Sequence, residues 1–124
     1  MAIHSKFDGT KRFVASEAEG VIALVDLLAY LDEMVTENAM PYAKLFDAGS
    51  AEIQMSDADL MVIAARTSAY ASFDPRGPLA LVARAESTRE IMRRFMNLAG
   101  NKRPLMLFRR PGDALSWLED PMMD

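Results

Sequence analysis

The 124-residue sequence contains no cysteine and a single histidine, His4. Without cysteine, disulfide bonds and thiolate metal sites are excluded. One histidine supports neither a histidine-rich metal site nor a triad that needs a histidine base. Its apolar runs, such as residues 21–25, are far shorter than the ~18 residues of a membrane span. We therefore predict no catalytic residue, no metal site, no cofactor and no membrane segment.

The rest of the composition is that of an ordinary globular protein. Apolar residues make up 51% and charged residues 26% of the chain, which is close to the globular average. The length suits one domain, 1–124, whose last residues, 119–124, we expect to be frayed. The first residues lack the apolar stretch of a secretory signal, which predicts a cytoplasmic protein.

Charge is distributed unevenly along the chain, whose net charge is −4. Ten acidic residues lie between Glu17 and Asp59 against the single Lys44, whereas the segment from Arg84 to Arg110 is mainly basic. Three interpretations stay open: two solvated faces of opposite charge, self-association through those charges, or an acidic surface for a basic partner. No basic stripe interleaved with aromatic residues is present, so nucleic acid is not the predicted partner.

Hydrophobic periodicity predicts the order ββαβαβαβα. An alternating pattern around Asp8-Gly9 indicates a hairpin, and apolar residues at helical spacing follow from about Gly20. Further helices are predicted to begin at Ser56, near Glu86 and near Pro111. The segments YAKLF, GPLALVAR and RPLMLF between them are short apolar runs typical of buried strands. This order predicts an α/β fold with a mixed, mostly parallel sheet of about five strands and helices on both faces.

Helical spacing also predicts which side chains face the core. In the third predicted helix the apolar stripe consists of Ile91, Phe95 and Leu98, and the spacing places Arg89 and Arg93 in water.

Several stretches resemble the SpoIIAA-like family, which includes the anti-sigma-factor antagonists and the STAS domains. These are EGVIALVDLLAYLDEM, AKLFDAGS, MSDADLMVIA and LALVAR. The resemblance implies a SpoIIAA-like fold in a bacterial cytoplasmic protein. In the antagonists, the helix after such a strand opens with an Asp-Ser-Ser-Gly-like motif in which a partner kinase phosphorylates a serine. Here residues 55–58 are Met-Ser-Asp-Ala, so the chain is more similar to the small uncharacterised SpoIIAA-like bacterial proteins.

The resemblance identifies a first candidate region for partner binding or phosphorylation. Its residues also have structural interpretations: Ser56 with Asp59 matches a helix-capping box, and Asp47 can accept a hydrogen bond within its own turn. The region consists of Asp47, Ser50, Ser56, Asp57 and Asp59.

A second candidate region is a possible anion-binding rim of Arg84, Arg109 and Arg110. These arginines follow predicted parallel strands, and ligands of open α/β sheets bind at the carboxyl ends of the strands. In the alternative interpretation they are solvated or paired with nearby acids such as Glu86 and Asp113.

The combined prediction is a non-catalytic interaction or regulatory module of STAS-like type. Its partner would be another protein or a second copy of the chain in a homodimer, with the acidic first half as the contact face. The alternative is a protein that binds a small ligand, either an anion or an apolar molecule, at the arginine rim or between the sheet and the helices.

Overall fold

The computed structural model describes residues 2–70, 76–99 and 103–120, which form seven strands and four helices. The strands are β1 (Ile3–Asp8), β2 (Phe13–Ala18), β3 (Val21–Ile22), β4 (Ala43–Asp47), β5 (Glu52–Ile53), β6 (Leu79–Val82) and β7 (Leu105–Phe108). The helices are α1 (Leu24–Thr36), α2 (Asp57–Ala69), α3 (Glu86–Ala99) and α4 (Pro111–Glu119).

Five strands form the main sheet in the order β1-β2-β4-β6-β7. β1 and β2 are antiparallel, and the other neighbouring pairs are parallel. The predicted mostly parallel sheet is therefore confirmed. Because β4, β6 and β7 run in the same direction, their last residues, Asp47, Val82 and Phe108, lie at one edge, here called the carboxyl edge. The opposite edge, where these strands begin, is called the amino edge.

The hairpin between β1 and β2 is longer than a two-residue turn. Residues 9–12 connect the strands, and the positive φ of 53° belongs to Arg12 and not to Gly9. The Asp8 carboxylate accepts a hydrogen bond from the Lys11 backbone N–H at 3.0 Å. Asp8 therefore stabilises the loop through its side chain.

A second, two-stranded sheet was not predicted from the sequence. β3 pairs in parallel with β5 just beyond the carboxyl edge of the main sheet. As a result, the first helix begins at Leu24 and not near Gly20. A two-residue strand is too short to produce an alternating pattern, and for this reason the sequence did not reveal it.

The helices cover both faces of the main sheet, as predicted. The larger core lies between the sheet and α1, α2 and α3, where Ile22 and Met34 are fully buried. On the other face, Ala114 of α4 packs with Leu45 and Val82, and Phe108 and Trp117 border this smaller core.

Two predictions of exposure in α3 were wrong. Leu98, which was predicted to be buried, is 50% exposed, and Arg89, which was predicted to be exposed, is only 8% exposed. The Arg89 guanidinium donates hydrogen bonds to the carbonyl oxygens of Ala83 and Phe108, both at 2.9 Å. A cation is buried here because it satisfies backbone acceptors where β6 and β7 end. Of the expected frayed tail, Glu119 is the last residue of α4, and residues 121–124 lie outside the described part.

Candidate functional site

The turn after β4 is stabilised by its own aspartate. Asp47 Oδ1 accepts a hydrogen bond from the Gly49 backbone N–H at 2.8 Å, and Gly49 has a φ of +53°. A left-handed backbone of this kind favours glycine. Asp47 therefore accepts a hydrogen bond within its own turn, as the structural interpretation of the sequence predicted. It shapes the loop that leads to α2.

Ser56 caps α2. Its hydroxyl accepts a hydrogen bond from the Asp59 backbone N–H, and the Asp59 carboxylate accepts one from the Ser56 backbone N–H, both at 3.1 Å. The predicted capping box is therefore confirmed. Ser56 itself is exposed at the carboxyl edge of the fold.

Folding brings part of the acidic and basic segments together. Asp57 at the start of α2 contacts Arg94 of α3 at 3.2 Å, and Asp32 of α1 contacts Arg66 of α2 at 3.2 Å. These ion pairs are exposed, and such pairs stabilise a protein by about 0–1 kcal/mol each. They reduce the contrast in charge between the segments without removing the acidic groups from the surface.

Exposed apolar side chains lie at the same end of the fold, and the sequence predictions did not include them. α1 and α2 run side by side in the same direction, because they follow the parallel strands β3 and β5 and are linked through Asp32 and Arg66. Near the start of this helix pair are four large exposed apolar residues: Val21 (53% exposed), Val25 (70%), Met61 (64%) and Val62 (44%). Together with Asp57 and Asp59 they are here called the carboxyl-edge face.

A sequence signal for this face did exist. The residues of α2 that are buried are Leu60, Ile63, Ala64 and Thr67. Met61 and Val62 are apolar residues outside that helical stripe. Apolar side chains placed off the buried stripe indicate a surface with another use.

The three arginines of the predicted rim lie at the carboxyl edge but have separate contacts. Arg84 approaches the Ser50 hydroxyl at 3.3 Å, and Arg109 lies 3.7 Å from Glu86. Arg110 is exposed as the N-cap residue of α4. Binding of an anion at this rim stays a prediction.

Glu86 reduces the positive charge of this region. Its carboxylate accepts a hydrogen bond from Arg93 at 3.0 Å. That bond, together with the charges of Arg93 and Arg109, holds the pKa of Glu86 below its ordinary value. The sequence offered pairing with nearby acids as an alternative for the rim arginines, and this pairing is observed between Arg109 and Glu86.

A cavity of about 90 Å³ lies between the main sheet and helices α1, α2 and α3. One of its lining residues, Lys44 of β4, is only 2% exposed. Lys44 Nζ donates hydrogen bonds to the carbonyl oxygens of Met40 at 2.7 Å and Tyr42 at 2.8 Å. Burial lowers its pKa to about 7, and the nearby charges of Arg103 and Arg76 act in the same direction. The sequence signal was a lone lysine within a strand predicted to be buried.

Two kinds of site are not found among the described residues. No group of three or more histidine, aspartate or glutamate side chains in this part of the chain is arranged to hold a metal ion. No helix within residues 2–70, 76–99 and 103–120 is both long enough and apolar enough to cross a membrane.

Comparison with known proteins gives one structural match. No family model matches the chain, and no curated protein sequence matches it. The crystal structure of an anti-sigma factor antagonist from Mycobacterium paratuberculosis superposes with a TM-score of 0.62, over 95% of each chain and at 19% sequence identity. At this identity the likeness concerns the fold alone. The chain has the SpoIIAA-like α/β fold that the sequence resemblance implied.

Proposed function

We propose that the chain is a non-catalytic regulatory module that binds a protein partner through the carboxyl-edge face. The observation that carries this proposal is the exposure of Val21, Val25, Met61 and Val62 at the start of α1 and α2, on or next to the elements that carry the exposed Glu52 and Asp57. Apolar centres with polar rims are the usual anatomy of protein interfaces. The fold supports the same role, because the similar structure is described as an antagonist of an anti-sigma factor, a name that defines it by its effect on another protein.

The charge of the face determines the kind of partner. Asp57 and Asp59 lie in the first turn of α2, and Glu52 of the neighbouring β5 is exposed. A partner that presents basic residues around an apolar centre would complement this surface, and the opposite charges would accelerate association.

The backbone beneath the face is held in place from the core. The buried Thr88 hydroxyl of α3 donates a hydrogen bond to the Ala51 carbonyl oxygen at 3.0 Å and accepts one from the Ile53 N–H at 3.4 Å. These bonds fix β5 next to the start of α2. A preorganised surface loses less conformational entropy when it binds.

Contact with the face, and not phosphorylation of Ser56, is the event that we propose. The Ser56 hydroxyl already accepts the capping hydrogen bond from Asp59 N–H. A phosphate on Ser56 would add negative charge beside Asp57 and Asp59, and the positive end of the helix dipole would offset only part of that repulsion.

The wider assignment follows from the same reasoning. We propose a single-domain cytoplasmic protein that acts without a metal or cofactor and does not bind nucleic acid. The net charge of −4 opposes binding to phosphate backbones. A second copy of the chain is the alternative partner, because the surface carries both acidic and arginine-rich regions.

The test compares matched substitutions on two helices. Asp57→Lys and Val62→Asp change the carboxyl-edge face, whereas Asp113→Lys and Leu115→Asp make the same changes on α4, across the sheet. Asp57 and Asp113 both lie in the first turn of a helix, and Val62 and Leu115 are both 44% exposed. Each pair of variants is therefore matched in position and exposure, except that Asp57→Lys also breaks the ion pair with Arg94, so the folding of every variant is checked by circular dichroism.

Each variant is immobilised and exposed to lysate of the source cells, and the captured proteins are quantified by mass spectrometry. We expect the wild type and both α4 variants to capture the same partner. Both face variants should capture at least tenfold less of this partner. Equal capture by all five proteins would contradict the proposed face. If light scattering instead shows a dimer that only the face variants dissociate, the partner is a second copy.

A further inference from the structure

The cavity beneath α1, α2 and α3 combines an apolar wall with a cationic part. Most of its lining side chains are apolar, among them Leu31, Met34, Phe46, Ile63, Leu81 and Met92. Lys44 also lines it, together with Arg76 and Arg103, which directly precede β6 and β7 at the amino edge. No acidic side chain of the described residues lines the cavity. Its chemistry is that of a site for an apolar molecule that carries a negative charge.

Lys44 has the capacity for a further interaction inside this cavity. An ammonium group has three N–H donors, and Lys44 uses two of them on Met40 and Tyr42. Within the described residues no carboxylate forms an ion pair with Lys44. A buried charge without a counter-ion is costly, so an anionic ligand would supply a group that the chain itself does not provide there.

The Tyr30 hydroxyl is a second donor at the cavity. Tyr30 is 8% exposed and lines the cavity, where its ring packs edge-on against Phe46 at 5.2 Å between centroids. Its hydroxyl is buried and forms no well-aligned hydrogen bond with the residues that the structure describes, although the Ser16 hydroxyl is near enough to offset part of the rise in pKa that burial causes. The neighbouring Ser16 hydroxyl is instead bonded to that of Ser5 at 2.7 Å. A buried hydroxyl of this kind is normally satisfied, and a ligand oxygen would satisfy it.

We propose that the cavity binds a small organic carboxylate, with its oxygens at Lys44 and Tyr30 and its apolar part among the side chains of the helices. A carboxylate has two acceptor oxygens, which suits two separate donors. Arg76 and Arg103 add positive potential near this position. The site is distinct from the carboxyl-edge face, because its cationic groups belong to the amino edge.

The cavity volume limits the size of the ligand. A cavity of about 150 Å³ lined by aliphatic and aromatic side chains accommodates benzene. The smaller cavity here, about 90 Å³, therefore holds a ligand smaller than benzene, that is, a carboxylate of roughly three carbon atoms in all, such as propionate. Acetate fills it only in part, and hexanoate, which is larger than benzene, is too long.

Binding should also depend on pH, because the carboxylate pairs with the charged form of Lys44. Burial lowers the pKa of Lys44 to about 7, whereas Tyr30 has its pKa raised to about 12 by burial and stays neutral. The remaining charged groups that line the cavity are Arg76 and Arg103. Affinity should therefore fall by up to about tenfold per pH unit above pH 7.

The experiment measures binding of a carboxylate series by calorimetry and by NMR of the methionine methyl groups. Sodium acetate, propionate, butyrate and hexanoate are compared with propanol at equal ionic strength. We expect propionate to bind at least tenfold more tightly than propanol. It should shift the methyl signals of the cavity residues Met34 and Met92, but not that of the exposed Met61.

Variants locate the carboxylate group. Lys44→Met and Tyr30→Phe should each weaken propionate binding at least fivefold and leave propanol binding unchanged. Lys6→Met, the same substitution at an exposed position of β1, should change neither. If Lys44→Met does not fold, Tyr30→Phe alone decides the question.

The proposal is overturned if propionate and propanol bind equally, because the cavity would then be a purely apolar space. It is also overturned if no cavity methyl signal moves at millimolar propionate, or if binding is the same at pH 7 and pH 8.5. None of these outcomes affects the proposed partner-binding face.

Discussion

Lys44 should make the stability of the protein depend on pH in a way that one substitution removes. Burial lowers its pKa from 10.5 to about 7. Between these two values the unfolded chain keeps the lysine proton and the folded chain has lost it. The unfolded state therefore binds more protons, and the free energy of unfolding rises with pH. This contribution is complete above pH 10.5 and is lost as the pH falls towards 7.

The magnitude follows from the two pKa values. Within this window the slope is about 1.4 kcal/mol per pH unit, and the full difference corresponds to about 5 kcal/mol. Between pH 7 and pH 9 the wild type should thus gain roughly 2–3 kcal/mol relative to Lys44→Met. The pH series should end near pH 9.5, so that the ionisation of Tyr30 does not contribute to the measured stability. Burial raises the pKa of Tyr30 from 10.0 to about 12. Stability from Tyr30 has the opposite sign and is lost as the pH rises above 10.

Urea unfolding at several pH values measures this difference directly. Lys6→Met is the control, because it removes an exposed lysine from β1 and should follow the wild-type curve. If the curves of the wild type and of Lys44→Met run parallel from pH 7 to pH 9.5, Lys44 does not have the lowered pKa on which this reasoning depends.

Four further substitutions test the packing of the fold by urea unfolding. Ser56→Ala should lower the free energy of unfolding by about 1 kcal/mol, because the helix cap is lost; an unchanged value would refute the capping role. Gly77→Ala should lower it by about 1–3 kcal/mol, since a Cβ there would overlap the Tyr42 carbonyl group. Gly112→Ala, where the space is open, should raise it by about 0.4–1 kcal/mol, and equal effects at the two glycines would contradict the packing described. Arg89→Met should lower it by about 1–3 kcal/mol because the buried Ala83 carbonyl oxygen loses its side-chain donor, whereas that of Phe108 keeps the Ala83 N–H; an unchanged value would show that the Ala83 carbonyl group does not depend on Arg89.

The sequence predicted those parts of the fold that have a clear period. The helices and the main strands have apolar patterns long enough to show a repeat of 3.6 or a continuous buried run. β3 and β5 are two residues long and have no period to detect. Arg89 was placed on the surface by its charge, although backbone carbonyl groups at the ends of β6 and β7 satisfy it in the core.

The candidate site was predicted only in part. Motifs located the loop after β4 and the cap at Ser56, because these features depend on residues close together in sequence. The apolar part of the face combines Val21 and Val25 with residues of α2, and this juxtaposition arises from the pairing of β3 with β5. The cavity at Lys44 likewise depends on three helices that meet only in the folded chain.

The central claim is that the carboxyl-edge face contacts a partner, and site-specific photo-crosslinking in the source cells tests it most directly. A photoreactive amino acid is placed at position 62 on α2 or at position 115 on α4, where the native side chains are equally exposed. We predict one discrete cross-linked species from position 62 that is absent from position 115 and is lost when Asp57→Lys is added. No cross-link at position 62, or the same species from both positions, would contradict the account.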